Sequence, residues 1–501
     1  MRSDKFLFLF IGFLLFHFTL YSQTQLGPDL VGEAFEDQFG TAMALSDDGT
    51  IVAVAAKEND EAASNAGHVR VYQWTGTDWM QLGMDLDGVG PSDRLGTSVA
   101  LAADGWTVAC GAPENGAPKG YVVVRVWDGT AWIPKGEPIE GVNISDRFGT
   151  SVALTDNGDR LAVGAVFHDT NGSNAGQVTV YDWTGTDWVQ VGPSLYGEDT
   201  GDNAGSAVSL SADGTRLAVG ASDSDVNGTK SGRVWVYEWT PDSTWTLLGE
   251  PLDGEDERDE FGTHVRLSTD GKRLAVGAPF NDGNGTWSGH VRVFEWAENR
   301  WVKLGQDLDG EGDFDRAGYS VDLGANGNRV IIGAINNGDN GAQAGHARVF
   351  EWSGSRWIQI GLDIDGDQSQ DLLGFSVAIA ENGETVAVGA PINGNAFAEN
   401  AGYARVFALP DGLSTSLSIL PTGRLLLFPN PVEDWLFIDL VDTPGQQLEL
   451  TVFAADGRPV LHQTLVSRTP FSLAVGDLLP GFYTVTISAH QFLQTRKFLK
   501  R

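Results

Sequence analysis

The sequence predicts an all-β fold: a seven-bladed β-propeller closed by strand exchange between its termini, followed by a small β-sandwich. Three observations carry this. A marker of glycine, four residues, aspartate, two residues, glycine recurs seven times. Six copies hold four short apolar runs split by turn residues. The last copy lacks its fourth run, and the start of the mature chain supplies one. The marker aspartates are Asp37, Asp93, Asp146, Asp202, Asp259, Asp315 and Asp371, and successive closing glycines, from Gly40 to Gly374, lie 53 to 57 residues apart. A regular period of this length is the signature of a repeat architecture, and four strands per unit point to propeller blades.

Residues 1–22 read as a secretory signal peptide. Arg2 and Lys5 precede an apolar run from Phe6 to Leu20, too short for a comfortable span, and Ser22 offers a small residue for cleavage. No other stretch approaches membrane length, so the mature chain is expected to carry no transmembrane span.

Residues 23–409 form the repeat region. In the fifth copy the apolar runs are Thr263–Leu267, Arg273–Ala278, His290–Trp296 and Trp301–Leu304. Val, Leu and aromatic residues bounded by Gly, Asp and Asn mark short strands. The first two runs join through Asp270-Gly271, a dipeptide suited to a tight hairpin, and all seven copies have Asp-Gly or Asn-Gly there. Six copies carry two tryptophans around the next turn, from Trp74/Trp79 to Trp352/Trp357. Such a pair is expected to pack across its own hairpin. The seventh copy stops at Val406-Phe407, before Pro410. Thr24-Gln25-Leu26-Gly27 matches Met80-Gln81-Leu82-Gly83, so residues 24–27 should pair with residues 402–408 and remove an open edge.

Strand alternation sorts the connections onto two faces. The short turns share one. The loops between strands two and three, and the crossings between blades, share the other; they are long, variable and acidic, which is where binding usually lives. The binding-face candidates are Phe167, His168, Asp169, Asp223, Asp225, Phe280, Asn281, Asp282, Trp287 and Phe397. The repeated marker aspartates are better read as acceptors of backbone N–H groups at the crossings. Weak metal candidates are Asp253, Asp256 and Asp259 in the acidic crossing DGEDERD. His68, His290 and His346 share one repeat position, which suggests packing or a hydrogen bond. No GxSxG, HExxH or P-loop is present, and no catalytic residue is assigned.

Residues 410–423 read as a linker. Residues 424–501 read as a separate small β-sandwich with turns at Asp456-Gly457 and Pro480-Gly481. The formal net charge is −35, yet residues 412–501 hold seven acidic and seven basic residues, so the repeats carry the excess. That field disfavours nucleic acid as a partner. The single cysteine, Cys110, sits in a strand and reads as a buried apolar residue.

The repeats resemble the FG-GAP family, through Phe39-Gly40, Phe148-Gly149 and Phe261-Gly262 with Gly111-Ala112-Pro113, Gly277-Ala278-Pro279 and Gly389-Ala390-Pro391. The resemblance spans residues 25–408. It implies a propeller similar to the integrin α-subunit head, serving in extracellular recognition. The family's DxDxDG calcium loop is absent, since the hairpins have only two-residue turns; no cofactor is assigned, and calcium stays open elsewhere. The C-terminal unit resembles the sorting domain of type IX secretion cargo, through Phe428-Pro429-Asn430-Pro431, Val452-Phe453-Ala454-Ala455-Asp456-Gly457-Arg458, Leu479-Pro480-Gly481-Phe482-Tyr483 and the basic end Arg496-Lys497 with Lys500-Arg501. It implies export from a Gram-negative cell and contact with the secretion machinery through residues 424–501. The expected protein is a secreted or surface-attached monomer that binds an extracellular glycan or protein. The alternatives are an enzyme acting on extracellular polymer at the propeller axis, and a structural surface protein without a specific ligand.

Overall fold

The computed structural model describes residues 23–410 except 115–118, 241 and 393–399, and within 424–500 the stretches 424–428, 435–441, 447–454, 458–466, 471–476, 478–489 and 492–500. The expected signal peptide at 1–22, residues 411–423 of the expected linker and Phe397 therefore lie outside the described residues. The chain divides into two compact units at Leu413 and Ser414.

The first unit is a ring of seven antiparallel sheets. The first strands, Phe39–Leu45, Ser98–Leu101, Phe148–Leu154, Ala207–Leu210, His264–Leu267, Ala317–Leu323 and Ser376–Ile379, contact one another in a closed cycle and so line the axis. One backbone belt joins them. Asp47 N–H donates to Ala103 O, Ala103 to Asp156, Asp156 to Ala212, Ala212 to Thr269, Thr269 to Ala325 and Ala325 to Glu381. Asn382 N–H closes the circle on Asp47 O. Second strands such as Arg160–Ala165 and Arg273–Ala278 are almost wholly buried, because blades cover both of their faces.

The ring closes as the sequence requires. Thr24 and Gln25 pair with Ala408 and Phe407, Leu26 N–H donates to Val406 O, and Leu30 and Val31 pair with Ala404 and Tyr403. The outer strand differs from the simple four-stranded expectation. In six blades it breaks into two pieces, as Trp79–Gln81 and Leu86–Asp87 do in the first. In the sixth it runs unbroken as Trp357–Asp365, with a register shift.

The break has a physical cause. The Trp pairs do pack across their hairpins, with ring centroids 5.1 to 5.5 Å apart. They also clasp the preceding blade: Trp79, Trp132, Trp188, Trp301 and Trp357 each donate Nε1–H to a carbonyl of its outer strand, at 2.7 to 3.0 Å. The outer strand bends at a glycine to admit these rings.

The second unit holds two antiparallel sheets. Arg424–Phe428, Trp435–Val441 and Phe471–Ala474 form one; Pro459–Val466, Gln447–Ala454, Gly481–Ala489 and Phe492–Lys500 form the other.

Candidate functional site

The long-loop face is built by backbone pairing between each two-three loop and the crossing into the next blade. Between blades five and six, Phe314, Arg316 and Ala317 N–H groups donate to Thr286, Trp287 and Ser288 carbonyls. The marker aspartates anchor these crossings. Asp259 Oδ2 accepts N–H bonds from Glu255 and Asp256, and Asp315 Oδ2 from Glu311 and Gly312. All seven are buried, at 1–5% exposure; six accept two otherwise orphaned backbone N–H groups each, and Asp146 accepts the Asn143 side-chain amide.

The loop aspartates are also architectural. Asp60, Asp169, Asp225 and Asp282 each accept, through Oδ1, the N–H of the residue five positions on, and so close the same turn in four blades. Asp223 pairs with Lys230 at 2.8 Å and accepts from Asn203. Asn281 donates to Asp259. His168 is buried: its Nδ1 accepts Thr170 N–H, its Nε2 lies 3.8 Å from Asp146, and its ring packs on Tyr196. The weak metal trio is not brought together, since Asp253 pairs with Arg233 while Asp259 holds the backbone.

The aromatic candidates do converge. Trp287 presents its ring edge-on to Phe280 (5.8 Å, 89°) and to Phe314 (5.7 Å, 89°). The Arg316 guanidinium lies 4.8 Å from the centre of Phe280. Trp287, Phe314 and Arg316 all sit at positive φ (51°, 69° and 59°), and the loop turns hold them there. Phe314 remains 49% exposed. Phe167 keeps a similar partner, with Arg147 4.6 Å away.

Phe314, Arg316 and Arg147 were not anticipated. One signal was available: Phe314 occupies the position before the marker aspartate, where the other described blades have Glu36, Ser92, Ser145, Gly201, Arg258 and Gln370. An aromatic among polar and small equivalents stands out once the copies are aligned.

A second cluster lies on the backbone belt at the axis. Ligand oxygens of Asp47, Asp156 and Glu381 come within 4.8 Å of one another. Burial, then repulsion from Glu381 and Asp156, pushes the Asp47 carboxyl up to about 7; burial and Glu381 push Asp156 to about 6.

Comparison with known proteins agrees with this architecture. Residues 141–181 match the FG-GAP repeat model, and residues 426–501 match the secretion system C-terminal sorting domain. No curated protein sequence matches the chain. Among solved structures, the Kuenenia stuttgartiensis hydrazine synthase aligns at TM-score 0.46 and 13% identity, over 73% of this chain and 94% of that one. A prolyl endopeptidase, one of two in a structural and mechanistic analysis, aligns at TM-score 0.41 and 13% identity, over 94% of this chain and 55% of that one. The chain is thus a seven-bladed β-propeller carrying an FG-GAP repeat, sent to the outside of the cell by a type IX sorting domain.

Proposed function

We propose that this secreted propeller is a binding module that engages an extracellular glycan or protein through the aromatic cluster of its long-loop face. The observation behind this reading is the joined set Phe280, Trp287, Phe314 and Arg316, with the Phe314 ring 49% exposed. Burying apolar side chains would be the cheaper arrangement; rigid aromatics beside an arginine are the residues that dominate recognition surfaces. The test is an array of extracellular glycans and matrix proteins probed with the purified mature chain. Phe314→Ala touches an exposed ring and should abolish the signal while leaving the melting curve in place. A flat array, or a signal that survives both Phe314→Ala and Trp287→Ala, refutes the reading.

A second reading, chemistry at the axis, draws on Asp47, Asp156 and Glu381. A carboxyl held near 6 or 7 can give or take a proton at neutral pH. Turnover of an extracellular polymer that is lost in Asp156→Asn would favour it over binding.

A further inference from the structure

We propose that Glu311, Asp339, His346 and Asp363, in blade six, form a binding site for a divalent cation that accepts mixed nitrogen and oxygen ligands. The four come from four different segments. Glu311 lies on the crossing into the blade, and Asp339 on its two-three loop. His346 opens the third strand, and Asp363 lies on the unbroken outer strand. One ligand atom from each lies within 4.8 Å of the others.

The second observation is His346 itself. It is fully buried, and neither ring nitrogen has a hydrogen-bond partner. Its Nδ1 points into the cluster, 4.0 Å from Glu311 Oε2 and 4.0 Å from Asp365 Oδ1. Asp365 Oδ1 is likewise buried and unpartnered. Buried polar atoms without partners are costly, and a cation among them would satisfy several at once.

The repeat supplies a comparison that isolates the arginine, since blade one shares the buried, unpartnered histidine (His68) and an acid at the Asp339 position (Glu61). Blades one and five carry the same His-x-Arg and Gly-x-Asp-x-Asp pattern, as His68/Arg70/Asp85/Asp87 and His290/Arg292/Asp307/Asp309. There the arginine closes on the first aspartate with two-pronged bonds: Arg70 to Asp85 at 2.6 to 3.0 Å, and Arg292 to Asp307 at 3.0 Å. In blade six Arg348 turns away, to the Asp309 carbonyl and to Glu311. Asp363 keeps only the Gln359 amide among its side-chain partners. Asp339 then adds a carboxylate where blade five has Gly283. The guanidinium has left Asp363 but stays on Glu311, and relative to blade five the site gains an acid. Four carboxylates against one guanidinium leave room for a 2+ ion, and the imidazole favours zinc or manganese over calcium. The inference is independent of the aromatic cluster.

The test is titration calorimetry on the chelator-treated mature chain with zinc, manganese and calcium salts, alongside thermal melts. One zinc or manganese ion should bind per chain and raise the melting temperature. Asp339 is exposed, so Asp339→Asn keeps the fold, and Asp339→Asn/Asp363→Asn should weaken binding by about tenfold or more. Glu61→Gln, in the arginine-closed site of blade one, should leave it unchanged. No binding of either metal at millimolar concentration overturns the proposal, as does unaltered affinity in the double variant. Calcium binding in place of zinc and manganese overturns the assignment of His346 as a ligand.

Discussion

The clasp between blades can be measured with two glycines that differ in what surrounds them. Gly305 (φ +79°) ends the first piece of the outer strand of blade five, and Gly354 (φ +92°) lies in the next Trp-pair turn. Alanine is strained at either, by about 1–2 kcal/mol. A Cβ on Gly354 meets nothing within 4 Å, whereas on Gly305 it would stand 2.6 Å from Trp352 and 3.0 Å from Trp357. Those rings are fixed by their mutual packing and by the 2.8 Å bond from Trp357 Nε1–H to Leu304 O, so they cannot yield cheaply. Overpacking adds about 1–3 kcal/mol, and loosening the indole bond about 0.5–1.5 kcal/mol. Gly305→Ala should therefore cost roughly 2.5–6.5 kcal/mol against about 1–2 kcal/mol for Gly354→Ala. Urea unfolding followed by circular dichroism and tryptophan fluorescence reads both. In a Trp352→Ala background the excess cost at Gly305 should shrink. Equal losses in the two single variants, or an excess that persists without Trp352, would refute the clasp.

Other consequences follow from the same geometry. Deleting residues 23–31 removes the outer strand of blade seven, including buried Leu30 and the Asp29 partner of Arg405. The cost should be roughly 4–8 kcal/mol, and a peptide of residues 23–31 added in trans should restore part of the melt. Asp259→Ala orphans two backbone donors and the Asn281 amide and should destabilise by about 2–4 kcal/mol, with denaturant midpoint as readout. Cys110 is fully buried and its thiol is pushed up to about 12 by desolvation, so thiol reagents should label it only after unfolding. Burial lowers His68, His264, His290 and His346 to about 4, so their contribution is complete above the ordinary 6.5 and is lost as pH falls through 4. Asp47 and Asp156 act oppositely: their contribution is present below 3.8 and lost as pH rises through about 7 and 6. Asp47→Asn removes one opposing group, so between about pH 7 and 4 the melting temperature of the variant should drop more, or rise less, than that of the parent; parallel curves would contradict the assignment.

Much of the architecture was legible because it is repeated. Seven markers in register fix the number of blades, and Thr24-Gln25-Leu26-Gly27 betrays the closure by matching a segment one blade away. The marker aspartates were readable as backbone acceptors because a carboxylate beside a turn has that use in any blade. The inter-blade reach of the tryptophans was not legible. Their spacing shows only the hairpin, while the partner carbonyl, such as Leu304 O for Trp357, lies 53 positions away. The loop candidates were read by residue type, which does not show that Asp169, Asp225 and Asp282 each use Oδ1 to close their own turns. Arg348 shows the opposite failure. Its sequence context matches Arg70 and Arg292, and only three-dimensional packing turns it away from Asp363.

Within a pseudosymmetric ring, function is sought in what survives subtraction of the shared blade. Features present in six or seven copies answer demands that every blade meets, namely closing a hairpin, anchoring a crossing and gripping a neighbour. Subtracting them removes the marker aspartates and the tryptophan pairs, which are the most conspicuous residues in the sequence. What remains is small and localised. Phe314 and Trp287 join across the junction of blades five and six, and Asp363, without the arginine its counterparts hold, lies with buried His346 within blade six. Both involve the crossing 310–316, whose Glu311 belongs to the acidic cluster and whose Phe314 and Arg316 belong to the aromatic one. A single backbone segment anchored by Asp315 thus positions both departures from symmetry. Asp315→Asn weakens that anchor without removing its bulk. It should therefore perturb ligand binding and cation affinity together, whereas Asp259→Asn, one crossing earlier, should leave the cation site intact.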